Sequence, residues 1–156
     1  MTSMPPPDAS DPPDAPPVVR QVFVDTQGWA EIFHSLALHH AAAVAFVQQA
    51  QAGRWELITS NLILSELVPL LHSRNFRLTQ PQILDMITRV RNLPDLIVVY
   101  VDMAIDRQAW ALLAANPQHP WSHVDATSMA LMRQLGVTEI LTADKHFAQA
   151  GFVVLL

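Results

Sequence analysis

Four carboxylates in this chain occupy positions where an ordinary solvated acid is not expected. Asp125 lies in WSHVDATSMALMRQLG (121–136). At 100° per residue it projects close to Met129 and Met132, whereas the polar side of that segment runs through Arg133 and Gln134. Glu66 is the only charged residue between Glu56 and Arg74, and Leu62, Ile63 and Leu70 lie near its own direction. Asp25 closes the apolar run VFVD, and Asp144 stands between EILT (139–142) and KHFAQA (145–150). A carboxylate in such surroundings costs free energy unless it is paired, hydrogen-bonded or bound to a cation.

Taken singly, most of these acids have a structural explanation. Asp25 and Asp144 suit the N-caps of the helices that follow them, with Gly151 ending the second. Ser122 and Asp125 fit a capping box. For Glu66 the structural and functional explanations are evenly balanced. As a set they say more: three acids open helices, and the fourth falls early in a helix behind a strand. Gathered at one sheet edge without neutralisation, they would repel and raise one another's pKa. A purely oxygen donor set, with no cysteine and no convincing histidine set, suits Mg²⁺ or Mn²⁺ better than zinc.

The elements that must position these acids follow from periodicity and breakers. Strands are expected at VVRQVFVD (18–25), WELIT (55–59), LIVVYV (96–101), 139–142 and the terminal FVVLL. Helices are expected from Thr26 to about Ala37, from His39 to Ala52 with a stop near Gly53, and from Asn61 to about Ser73. Pro69 should kink or shorten the last of these. Further helices fit 80–91, 103–115, 122–135 and 145–150. Short strands, apolar throughout and separated by helices, indicate an α/β fold with a parallel sheet covered on both faces. Functional groups in such folds gather beyond the carboxyl ends of the strands.

Composition narrows the class. The 156 residues are 51% hydrophobic and 15% charged, as in one packed domain of 18–156. Residues 1–17 hold seven of the twelve prolines and are expected to form a disordered, proline-rich tail. The absence of cysteine excludes a disulfide framework and a thiol nucleophile. No apolar run reaches membrane-spanning length and no signal-peptide pattern opens the chain, so a cytoplasmic location is expected. A net charge of −5 does not advertise a nucleic-acid binder, but clustered metal-binding carboxylates would contribute to that charge.

Beyond these patterns, SHVDATSMALMRQLGVTEILTADKHFAQAGF (122–152) resembles the C-terminal signature of PIN-domain ribonucleases, a family that includes VapC-type toxins. VFVDTQGWAEIF sets Asp25 on the family's first acid, and TSNLILSEL sets Glu66 on its glutamate. VDATSMALM and LTADKHF set Asp125 and Asp144 on the third and fourth acids. The resemblance covers roughly residues 20–154. It implies a PIN-like fold with a five-stranded parallel sheet, flanked by helices, and an acidic pocket for Mg²⁺ or Mn²⁺. It also implies metal-dependent hydrolysis of RNA, frequent homodimers and, for the toxins, silencing by a cognate antitoxin. Thr26 and Thr142 match positions where the family often has hydroxyls that position water or a carboxylate. His123 departs from a frequent aromatic, and Pro69 follows the glutamate closely; neither removes a ligand.

Substrate grip is less marked. Lys145 and His146 adjoin Asp144 and are candidate RNA phosphate contacts, as are Arg74, Arg77, Arg89 and Arg91; a solvated surface explains at least half of these equally well. His119 and His123 have no further partners at zinc spacing, and the four glycines are isolated, which argues against a nucleotide loop. Two rivals remain. One is a non-catalytic RNA- or protein-binding module that keeps the acids as caps. The other is a receiver-like phosphoacceptor using Asp102, which lacks the required acidic pair and is better explained as a helix cap.

Overall fold

In the computed structural model, which describes residues 18–156, the apolar runs pair side by side as five parallel strands. The expected tail, 1–17, lies outside the described residues. The strands are β1 (Gln21–Val24), β2 (Glu56–Ser60), β3 (Leu96–Val99), β4 (Glu139–Leu141) and β5 (Val153–Val154). The helices are α1 (Thr26–Phe33), α2 (His40–Gly53), α3 (Asn61–His72), α4 (Gln80–Arg91), α5 (Met103–Ala115), α6 (His123–Leu135) and α7 (Lys145–Gln149). The sheet order is β3-β2-β1-β4-β5, every pair parallel.

β1 is the centre, and its composition explains why. Val22, Phe23 and Val24 are all fully buried, so both faces of the strand are covered. The chain steps outward from β1 through β2 to β3, then returns to the opposite side of β1 for β4 and β5. At β1 and β4 the connections therefore depart in opposite directions, which opens a crevice at the carboxyl ends of these two strands.

Two close packings hold α1 over that crevice. A Cβ on Gly28 would lie 2.0 Å from the Leu141 carbonyl oxygen, so only glycine lets α1 approach β4 this closely. Behind it, the Trp29 indole N–H donates to Thr59 Oγ1 (3.1 Å), and the Thr59 hydroxyl donates to the Val24 carbonyl (2.9 Å). That chain satisfies the buried polar atoms while joining α1, β2 and β1.

Some boundaries differ from those expected. β1 starts at Gln21 because Val18 and Val19 are exposed. α1 stops at Phe33, where His34 turns extended, and Leu36 and Leu38 project into solvent instead of continuing the helix. The Glu31 carboxylate accepts the His39 N–H (2.9 Å), drawing the connection back toward α1. Pro69 does not cut α3 short. It lies on the exposed side, so water reaches the Ser65 carbonyl that loses its helical donor, and the helix runs one further turn to His72. Gly53 is the last residue of α2, and the left-handed stop is Arg54 (φ 51°). Gly53 is small for another reason: a Cβ there would meet the Trp55 indole at 2.5 Å.

Gly28→Ala should destabilise the protein by about 1–3 kcal/mol, the usual cost of overpacking. Urea unfolding of the two proteins checks this, and an unchanged midpoint would show that α1 has room to retreat.

Candidate active site

The register of the central strands brings Asp25 and Thr142 together. Val24 pairs with Leu141, so the next residue along each strand, Asp25 and Thr142, meets at the mouth of the crevice. The Thr142 hydroxyl donates to Asp25 Oδ2 (2.8 Å) and accepts the backbone N–H of Asp144 (3.0 Å). Asp25 Oδ1 accepts the Gly28 N–H (2.7 Å), which caps α1. Asp25 is nonetheless 6% exposed and no cation is paired with it among the described residues. Burial and, to a smaller extent, the charges of Asp144 and Asp125 push its pKa up to about 7. The two hydrogen bonds pull the other way without cancelling the burial.

The other acids approach from helix starts. Asp144 caps α7, its Oδ1 accepting the His146 N–H (2.9 Å). Asp125 completes the capping box of α6: its Oδ2 accepts the Ser122 N–H (2.8 Å), and its own N–H donates to Ser122 Oγ (3.0 Å). His146 Nδ1 lies 3.5 Å from Asp125 Oδ2 and 3.4 Å from Asp144 Oδ1, and each of these three side chains offers a ligand atom within 4.8 Å of the others. Glu66 comes from the opposite wall, on α3, where the Thr26 hydroxyl donates to its Oε2 (2.5 Å).

All four acids line one cavity of about 600 Å³ at the carboxyl edge of the sheet. Ile63 and Leu70 share the α3 wall with Glu66, which accounts for its apolar surroundings in the sequence. Asp125, Asp144 and His146 form the tight group; Asp25 adjoins it through Thr142, and Glu66 faces it across the cavity. The two threonines each hold a carboxylate rather than lining the cavity in the same way: Thr26 reaches the wall, Thr142 stays buried beneath it. Lys145 is exposed and lies outside the lining. His119 and His123 are not a metal pair, since the first stacks on Trp121 and the second on Trp110, with its Nε2 3.0 Å from Asp106. Asp102 caps α5 through the Ile105 N–H (2.9 Å).

The donor set suits a divalent cation. Asp125 Oδ1, Asp144 Oδ2 and Glu66 Oε1 are left outside the hydrogen bonds above, and Asp25 is a buried carboxylate with no counter-charge among the described residues. Hard oxygen ligands in this number fit Mg²⁺ or Mn²⁺, and His146 adds an imidazole nitrogen at the rim. Two lining groups escaped the sequence: Ser128 is 1% exposed with its hydroxyl unpartnered, and Glu31 lines the cavity while accepting the His39 N–H. Ser128 had a signal, three residues past Asp125 on the same helix face; Glu31 had none. His146, expected only as a phosphate contact beside Asp144, instead lies against the carboxylates of Asp125 and Asp144.

These features define a parallel α/β protein with a carboxylate-lined cleft at its topological switch point. The family profile of the PIN domain matches residues 22–153. Two curated relatives, both named 23S rRNA-specific endonuclease VapC20, come from Mycobacterium tuberculosis strains CDC 1551 and H37Rv. Each is 31% identical over 135 residues, covering 85% of this chain and 95% of the relative. A crystal structure of M. tuberculosis VapC20, described as a Sarcin-Ricin loop cleaving toxin, superposes with a TM-score of 0.71 at 29% identity. It covers 85% of this chain and 96% of that one. The chain belongs to the PIN domain family, among its VapC-type ribonucleases.

Because folding raises the Asp25 pKa from 3.8 to about 7, the folded state holds this proton more tightly than the unfolded chain. In metal-free protein, stability from this group should be greatest in acid and should fall by about 4 kcal/mol as pH climbs through that interval. Asp25→Asn should remove this slope and melt higher than the parent near pH 8 in EDTA. Melting curves across pH test it, and parallel profiles for the two proteins would refute it.

Proposed function

We propose that this chain is a divalent-metal-dependent endoribonuclease and the toxin half of a toxin–antitoxin pair, acting in the cytoplasm as a homodimer. The observation that carries the metal dependence is the convergence of Asp25, Glu66, Asp125 and Asp144 on one cavity, with the Asp25 carboxylate buried and no cationic side chain beside it among the described residues. Since the VapC20 relatives are named for cleavage of 23S rRNA, an exposed ribosomal RNA loop is the first substrate class to try.

In this reading Asp25, Asp125 and Asp144 hold Mg²⁺ or Mn²⁺, with Glu66 closing the cage directly or through water. The cation supplies neutralisation of the phosphodiester charge and a more acidic water. The protein supplies placement. Thr142 fixes Asp25, Thr26 fixes Glu66, and the capping box aims Asp125 into the cavity. His146, beside Asp125 and Asp144, would add a nitrogen donor to that group.

Asp25→Asn and Asp125→Asn should each lower RNA cleavage by more than roughly 100-fold, since disturbing even an outer-shell partner of a metal ligand costs 10–100-fold. Calorimetric titration with Mn²⁺ should show weakened binding in both. Sequencing of RNA 5′ ends after induced expression, with Asp125→Asn as control, should give cuts present only with the parent protein. Cleavage at parental rates by both variants would end the mechanism. Parental RNA binding with neither metal uptake nor cleavage would instead support a non-catalytic module.

A further inference from the structure

The four acids are only part of the lining of the 600 Å³ cavity, and a cation with one phosphate group does not fill it. Beyond Glu66, the lining continues as an apolar and aromatic wall: Ala37, Leu70 and Phe76, with His34 and Asn75. The Phe76 and His34 rings lie 4.9 Å apart, centroid to centroid, and are tilted by 55°. This wall is held firmly. Ser73 O accepts the N–H groups of Phe76 (3.1 Å) and Arg77 (2.8 Å), and Leu78 N–H returns to Leu71 O (3.1 Å), so Phe76 sits on a closed turn after α3. Arg77 takes a left-handed conformation (φ 53°) and its Nε donates to Arg74 O (3.1 Å). The segment Arg74-Asn75-Phe76-Arg77 thus sets an amide and an aromatic ring on the cavity between two exposed cations.

Unpaired RNA bases are gripped in this way, by stacking on aromatic rings, edge hydrogen bonds and cations on the flanking phosphates. A polymer whose scissile phosphate lies at the acids must place its neighbouring nucleotide somewhere within a few ångströms. This wall belongs to the same cavity.

We propose that the wall formed by His34, Leu70 and Phe76 is a nucleobase subsite, which receives the unpaired base next to the scissile phosphate. Asn75 offers an amide to the edge of that base, and Arg74 and Arg77 hold the phosphate beyond it. The proposal rests on the ribonuclease reading above and adds to it a requirement for an extruded base at the cut.

The test uses the full-length protein and an RNA oligonucleotide containing a mapped cleavage site, compared with the same oligonucleotide made abasic at each nucleotide flanking the cut. The parent should cleave one abasic substrate roughly 5- to 100-fold less efficiently, the range expected for one lost stacking contact. Phe76→Ala should cleave intact and abasic RNA at the same reduced efficiency, and Phe76→Leu, which keeps apolar volume, should do the same. Phe76→Trp should restore discrimination, while Mn²⁺ binding by calorimetry stays at the parental value in all three. Arg74→Ala with Arg77→Ala should reduce the salt slope of RNA binding by about two.

Equal cleavage of intact and abasic RNA by the parent overturns the subsite and leaves the ribonuclease reading standing. Absence of any cleavage by the parent overturns both. Undiminished discrimination in Phe76→Ala, accompanied by lost capture of a protein partner, assigns the wall to that partner and overturns the proposal.

Discussion

The structure turns on one unfavourable interaction, the burial of the Asp25 carboxyl group at the end of the central strand. A charge there has almost no contact with water and, among the described residues, no cation to offset it. The neighbouring groups moderate this cost without removing it. Gly28 gives up its side chain so that its N–H can reach Asp25 while α1 packs against β4. Thr142, fixed by the Asp144 backbone, turns its hydroxyl toward Asp25. What is left unbalanced is negative charge, and negative charge in a cleft is what makes a divalent cation the natural resident.

Sheet order explains why the acids meet. β1 and β4 are neighbours, although more than a hundred residues separate them in the chain, because the connections run outward on one side before returning on the other. The crevice between their ends receives Asp25 from β1, Asp144 from the turn after β4, and Asp125 from the start of α6. α6 is buried from Ala126 to Met132, so its N-terminus is held in place by the core and not by the cap alone. Glu66 arrives from α3 and faces the other three acids across the cavity. The same lining also includes the Phe76 and His34 rings, 4.9 Å apart.

Capping and site building are the same act here. Asp25, Asp125 and Asp144 each accept a backbone N–H at a helix start, the arrangement that made each acid explicable as purely structural in the sequence. One acceptance does not exhaust a carboxylate, which has several lone-pair directions. The helix N–H fixes one oxygen and leaves capacity directed at the cavity. Local capping motifs could therefore be read correctly without revealing whether the caps shared a destination.

The strands, most helix spans and the four unusual acids were legible in the chain itself, because apolar periodicity, caps and breakers act over a few residues. Glu66 stood out for its apolar neighbours, and two of them, Ile63 and Leu70, do share its wall. Boundaries were less legible where tertiary contacts decided them. α1 ends at Phe33 as Glu31 draws the next connection back, and Gly53 is small to admit Trp55 rather than to turn the chain. The Phe76–His34 pair joins the site only because distant segments fold together, and His146 meets Asp125 only because α7 packs against the start of α6. The sequence by itself determined which residues carry the charge and which elements present it. The tertiary structure alone decided that these charges share one buried cleft, since pairing, burial and the Asp25 pKa depend on distances between strands and helices that lie far apart in the chain.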